Sequence, residues 1–168
     1  EHGNDSQVLL ISNNDPLVHN VMEEIEKQVD KLPRSQFVRK SLENSKIIIL
    51  KEYAEMIKLV NEYAPEHLIL SVKNADELAG LVVNAGSVFL GNYTPESAGD
   101  YASGTNHTLP THGYAKVYSG VNIDSFMKKI TFQKITQTGL INIGPAIMKM
   151  AEAEQLTAHK NAVSIRLK

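Results

Sequence analysis

Apolar side chains along this chain fall in short runs separated by longer stretches with helical spacing. Four mainly apolar runs, bounded by polar or turn residues, are typical of buried strands: Val8 to Ile11, Ile47 to Leu50, Leu68 to Val72 and Val88 to Leu90. Helical patterns lie between them. This alternation predicts an α/β fold, a Rossmann-like parallel sheet with crossover helices.

The helical stretches carry recognisable start and stop signals. Apolar residues recur every three or four positions from Leu17 to Leu32, and Asp15 followed by a proline is expected to cap that helix. A second pattern covers Tyr53 to Tyr63. A third is expected to begin with Asn74 as its N-cap and to be closed by Gly86.

Between Gly86 and Gly113 the periodic pattern is lost after the last predicted strand. Five of the ten glycines fall in this stretch, which therefore predicts a long loop of the kind that is usually functional. Helical spacing returns after about Val121. We therefore expect an α/β domain over residues 1–121 that carries this loop, followed by a helical C-terminal tail over residues 122–168.

Composition and charge narrow the class of partner. The 168 residues are 42% hydrophobic and 21% charged, which is enough to build a core and excludes a disordered chain. The net charge of −2, without long runs of one sign, argues against nucleic-acid and membrane partners and favours a small molecule or a protein. With no cysteine, any metal must bind histidine or carboxylate side chains. No membrane span or signal peptide is visible, which predicts a cytoplasmic protein.

Pro65-Glu66-His67 is the first candidate for chemistry, because a carboxylate and an imidazole are adjacent between a helix end and a strand start. Both residue types serve as general bases near neutral pH. Adjacent strand residues point to opposite faces, so both can reach one substrate only where the backbone is irregular. The alternative is structural, with Glu66 a solvated charge and His67 a hydrogen-bonded residue at the core edge.

The glycine-rich loop is the second candidate. Its polar residues could supply metal ligands or substrate contacts, and they are Glu96, Asp100, His107 and His112. Its glycines form neither a dinucleotide fingerprint nor a phosphate-binding loop, and the chain has no compact zinc motif. A turn-rich surface loop with solvated acids is the alternative.

Several segments together resemble histidinol dehydrogenase. The resemblance rests on YAPEHLIL from Tyr63, GSVFLGNYTPESAGDYASGTNHTLPTHGYA from Gly86, the FQKIT of the tail and EAEQLTAHKNAV from Glu152. It extends over the whole chain, beginning with Glu1-His2-Gly3. Family members are much longer, so the resemblance implies a C-terminal portion from which most of the NAD contacts are missing. The start without an initiator methionine suggests the same.

The resemblance implies an enzyme that oxidises L-histidinol through L-histidinal to L-histidine in two NAD-dependent steps at a zinc site. It implies zinc ligation by His2, Asp100 and His159, with a fourth ligand, a glutamine, lying before Glu1. Glu66 and His67 match the catalytic pair. The implied substrate-binding residues are His2, His67, Asp100, His107, Glu154 and His159.

The resemblance also implies a homodimer. In it the C-terminal tail reaches the neighbouring subunit, so that Glu154 and His159 act in trans.

Two other functions stay open on residue types alone. One is an inactive binding or assembly fragment, and the other is a zinc hydrolase that uses Glu66 and His67 to activate water. We also expect the isolated chain to be inactive, because most of the nucleotide site is missing.

Overall fold

A computed structural model of the chain describes residues 2–167. They form two compact units, one ending at Phe126 and one starting at Met127. The first unit contains β1 Leu9–Ser12, α1 Asp15–Val29, α2 Ser35–Asn44, β2 Lys46–Ile49, α3 Tyr53–Tyr63, β3 His67–Leu70, α4 Ala75–Ala79, β4 Ser87–Leu90 and α5 Glu96–Tyr101. Short 3₁₀ helices follow at Tyr114–Lys116 and Ile123–Phe126. The second unit contains α6 Gln137–Ala153 and α7 Thr157–Ser164.

The strands pair as two separate parallel sheets, β1 with β2 and β3 with β4. His67 of β3 is in register with Ser87 of β4. The predicted mixed α/β class with parallel strands is confirmed. Among residues 2–167, however, hydrogen bonds join the strands only in pairs and do not form the single sheet expected from the sequence. Hydrophobic runs locate strands but do not specify which strands pair.

Two helix boundaries differ from the expectation. The N-cap of α1 is Asn14, whose side chain accepts a hydrogen bond from the backbone N–H of Leu17 at 3.0 Å, while Asp15 is already helical. Helix α4 ends at Ala79 with Gly80 as its C-cap, so Gly86 does not close it. Gly86 instead begins the β3–β4 pairing, donating its backbone N–H to the carbonyl of Pro65 at 2.9 Å.

The principal core of the first unit lies between α3, β3 and α4. It is formed by Ile57, Val60, Leu68, Leu70, Ala75 and Leu78. The predicted helix from Tyr53 to Tyr63 is confirmed residue for residue, and Ala64 ends it in the left-handed conformation with φ 53°. This core fixes the chain on both sides of Glu66.

The second unit is a helical pair. Gly144 of α6 allows close packing with α7 and the residues after it, because a Cβ there would lie 3.2 Å from Val163 of α7 and 2.8 Å from Leu167. Residues 127–136 are not helical, although apolar spacing predicted helix there; Ile130 and Phe132 are 70% and 91% exposed. Among the residues that the structure describes, no helix is both long enough and apolar enough to cross a membrane.

Candidate functional site

One cavity of the first unit gathers most of the candidate residues. It has a volume of about 340 Å³ and is lined by His2, Glu66, His67, Asp100, Tyr101 and His107. Five of these are candidates from the sequence, and they come from chain segments far apart in sequence. The cavity opens at the start of β3, whereas ligands of open α/β sheets usually lie beyond the carboxyl ends of the strands.

Glu66 and His67 line the same cavity because the backbone bends just before β3. Glu66 occupies a bend and His67 is the first residue of the strand. The carbonyl of Glu66 accepts a hydrogen bond from the backbone N–H of Ser87 at 2.9 Å. The irregular backbone that both side chains need is therefore present, held by the first hydrogen bonds to β4.

Asp100 is placed by a helix where the sequence predicted only loop. Helix α5 spans Glu96–Tyr101, so Glu96 and Asp100 are four residues apart and lie on one face. The helix lies close to β4 because residue 99 is glycine, where a Cβ would be 2.7 Å from the ring of Phe89. Thr105 also donates a hydrogen bond from its hydroxyl to the Gly99 carbonyl at 3.0 Å.

The imidazole of His67 faces both carboxylates of α5. Its Nε2 lies 3.5 Å from Oε1 of Glu96 and 4.0 Å from Oδ1 of Asp100, and the three side chains are only 20%, 31% and 14% exposed. His67 Nε2 and Glu96 Oε1 are buried atoms without a hydrogen-bond partner. The ring of His67 also lies 5.9 Å from that of Phe89, centre to centre.

This cluster has the chemistry of a cation site. One ligand atom each from His67, Glu96 and Asp100 lies within 4.8 Å of the others. Imidazole nitrogen and carboxylate oxygen are both zinc ligands. Two of these atoms, His67 Nε2 and Glu96 Oε1, are buried and unpartnered, and either a cation or a hydrogen bond between them would satisfy both.

His2 reaches the cavity from an exposed segment at the start of the chain. Arg34 donates a hydrogen bond to the backbone carbonyl of His2 at 3.4 Å, and Asn44 donates one to the carbonyl of Asn4 at 3.3 Å. The loop and helix that follow α1 therefore hold this segment.

The remaining candidates lie elsewhere. Glu154 is the C-cap of α6 and His159 lies on α7, both exposed within the second unit. His112 is outside the residues lining the cavity, and its Nδ1 lies 3.0 Å from the hydroxyl of Thr111. Tyr101 lines the cavity although the sequence analysis did not single it out.

An ion pair fixes the segment that follows the glycine-rich loop. Lys116 donates a hydrogen bond to Glu62 of α3 at 2.7 Å. This hydrogen bond, together with the positive charge of Lys116, lowers the pKa of the Glu62 carboxyl below its usual value. Since Glu62 lies four residues before Glu66, the contact joins the end of the loop to the helix that leads into the site.

Comparisons of the sequence with a family model and with known proteins all point to the same family. A sequence model of the family described as histidinol dehydrogenase matches residues 1–167. The histidinol dehydrogenase of Bacteroides thetaiotaomicron is 61% identical over 99% of this chain and 39% of its own length. The chloroplastic histidinol dehydrogenase of Arabidopsis thaliana is 54% identical over 100% of this chain and 36% of its own length.

A solved structure agrees with these sequence matches. The crystal structure of histidinol dehydrogenase from Elizabethkingia anophelis matches with a TM-score of 0.92 at 54% identity, covering 99% of this chain and 38% of that one. The chain thus spans about 39% of the length of the Bacteroides relative.

Proposed function

Because this chain belongs to the histidinol dehydrogenase family, we propose that it is the C-terminal part of an oxidoreductase of histidine biosynthesis, which oxidises L-histidinol through L-histidinal to L-histidine. The observation that carries the proposal is the cavity on which His2, Glu66, His67, Asp100 and His107 converge. Its volume of about 340 Å³ suits a small polar substrate. Family membership favours this reaction over zinc hydrolysis.

The residues present fit a zinc ion. We propose His2, Asp100 and His159 as ligands, completed by a glutamine outside this chain. Asp100 also belongs to the cluster with His67 and Glu96 whose ligand atoms lie close enough together to hold a cation. Zinc, when bound, would hold the imidazole and amino groups of the substrate and supply positive charge beside them. Glu154 and His107 would contact the substrate directly.

Glu66 and His67 would divide the proton transfers. In the first step His67 acts as general base and removes the hydroxyl proton of histidinol. In the second step Glu66 takes a proton from water as that water adds to the aldehyde, giving the hydrate that is then oxidised to the carboxylate. A site closed by the rest of the enzyme would protect the reactive aldehyde between the steps.

NAD is the hydride acceptor that this reaction requires. We assign most NAD contacts to a part of the enzyme outside this chain, as the resemblance to the longer family members implies. We also propose that the two strand pairs belong to one Rossmann-like sheet in the complete protein, since both pairs among residues 2–167 are parallel. The proposed location is the cytoplasm.

We further propose a homodimer in which Glu154 and His159 complete the site of the neighbouring subunit. Both side chains are exposed, as are Ile130 and Phe132 of the segment that precedes α6. Exposed apolar side chains of this size are typical of surfaces that another chain covers.

The activity is tested by joining this chain to the upstream part of the Bacteroides thetaiotaomicron relative, a fusion called the complete enzyme below. With L-histidinol, NAD and zinc, we expect two NADH per histidinol, measured by absorbance, and histidine as the product. The chain alone should give no steady NADH production, because most of the nucleotide site is missing. A complete enzyme that folds and binds zinc but leaves histidinol unchanged would support the inactive fragment instead.

The dimer is tested by mixing two inactive variants of the complete enzyme, His67→Asn and His159→Ala. If His159 acts in trans, a mixed dimer contains one site without either substitution, so we expect up to about a quarter of the native activity after subunit exchange. A sample of either variant alone, taken through the same subunit-exchange procedure, should remain inactive. Activity that stays absent in mixtures shown to exchange subunits would mean that His159 acts within its own chain.

A further inference from the structure

We propose that Glu96 is a positioning residue for His67. It would accept a hydrogen bond from Nε2–H of the imidazole and so leave Nδ1 free to take the substrate proton. The proposal rests on the proposed function for its role in catalysis, but the contact itself is read from this chain alone.

The first argument is the burial of the facing atoms. His67 Nε2 and Glu96 Oε1 are both buried, both lack a hydrogen-bond partner and lie 3.5 Å apart. A small inward movement of either side chain gives a charge-assisted hydrogen bond. Leaving both groups unpaired would cost free energy, since buried polar atoms in native proteins are nearly always paired.

The second argument is that the two carboxylates on α5 have different neighbours. Asp100 Oδ1 is the more distant neighbour of Nε2, at 4.0 Å, and Asp100 lines the cavity where the cation is proposed, whereas Glu96 does not line it. Glu96 is therefore the carboxylate that remains available to His67 when Asp100 binds zinc.

The third argument concerns the ring atom that the substrate can reach. His67 lines the cavity, but its Nε2 is sealed from solvent. Because Nε2 is closed to solvent, we assign contact with a hydroxyl group in the cavity to the other ring nitrogen, Nδ1. A proton held on Nε2 by Glu96 fixes the tautomer in which the Nδ1 lone pair is free. The hydroxyl proton passes to Nδ1, and the Nε2 proton stays where it was.

A spectroscopic experiment on this chain tests the contact without requiring activity. In ¹⁵N-histidine-labelled chain in alkaline buffer, long-range ¹H–¹⁵N correlations should show His67 protonated on Nε2. We expect Glu96→Ala to give a mixture of tautomers and Glu96→Gln to keep the Nε2–H form, because its amide oxygen can still accept. Glu77→Gln, on the exposed face of α4, is the matched control and should change nothing. A tautomer unaffected by Glu96→Ala would overturn the proposal.

Kinetics of the complete enzyme test the consequence. Glu96→Ala should lower kcat for histidinol by about 10- to 100-fold, the range found when a partner that orients a metal-bound histidine is removed. The KM and the zinc content should stay near native, and Glu96→Gln should recover most of the lost kcat. Loss of zinc, a change confined to KM, or no recovery in Glu96→Gln would each overturn the positioning role. If the native complete enzyme is inactive, the proposed function fails while the tautomer experiment still decides the contact.

Discussion

Replacing His67 with asparagine in the complete enzyme is expected to lower kcat for histidinol oxidation by about 10²- to 10⁴-fold, the range that general-base catalysis contributes. Asparagine keeps a polar side chain at this position but cannot take the hydroxyl proton. The zinc content should remain native, because the proposed ligands are unchanged. Steady NADH production and single-turnover absorbance measure the loss.

The matched control for this substitution is His19→Asn. His19 lies on α1 with its side chain 77% exposed, beside Glu23, and is not among the residues that line the cavity. Its replacement should leave kcat within about twofold of native, as expected for a surface change. An equal loss of kcat in both variants would contradict the role of His67.

Glu66→Gln separates the two proposed proton transfers. If Glu66 serves only the hydration of the aldehyde, its amide variant should slow oxidation of added L-histidinal far more than oxidation of L-histidinol to the aldehyde. Equal slowing of both steps would show that the division of labour between Glu66 and His67 is wrong.

Gly86→Ala is expected to destabilise the first unit by about 1–3 kcal/mol, the usual cost of forcing an extra methyl into a packed site. A Cβ at Gly86 would lie 2.5 Å from the backbone oxygen of Glu66, and no flexible side chain there can move aside. The backbone must shift instead, at the point where β3 begins to pair with β4. Urea unfolding of this chain, followed by circular dichroism, measures the change.

Gly80→Ala is the control for that experiment. Gly80 has a right-handed φ of −63°, and a Cβ there would lie 3.4 Å from the backbone oxygen of Glu77, close to an ordinary contact. Alanine should be neutral or should stabilise the chain by about 0.4–1 kcal/mol, because it lowers the conformational entropy of the unfolded state. If Gly86→Ala unfolded at the same urea concentration as native chain, the close approach to Glu66 would be refuted.

The sequence predicted those helices that carry a broad apolar stripe and clear end signals. Helix α3 is the best example, with its end marked by Ala64 before a proline. Helix α2 was missed because its stripe is thin: Phe37, Val38 and Leu42 provide the apolar positions, while its buried residue is Ser41. The pairing of strands was not predictable, because parallel strands with similar short apolar runs can pair in several ways.

The sequence allowed us to predict which residues belong to the site, but not how their side chains contact one another. Glu66 and His67 were candidates on condition that the backbone bends, and the bend is present. The pairing of His67 with Glu96 was not predicted, because the glycine-rich composition around α5 indicated a loop and not a short helix. The four-residue spacing of Glu96 and Asp100 was the available signal.

Helix α5 has only six residues and no side-chain N-cap. Helices this short do not persist in water by themselves, so its order depends on the contact of Gly99 with Phe89 and on the hydrogen bond from Thr105. Segments held in this way open at lower free energy than the global transition. On warming, α5 should therefore detach before the α3–β3–α4 core melts, and both carboxylates that face His67 would leave with it. Thermal inactivation of the enzyme would then be a local event that precedes unfolding, and added substrate or zinc would delay it by holding α5 in place.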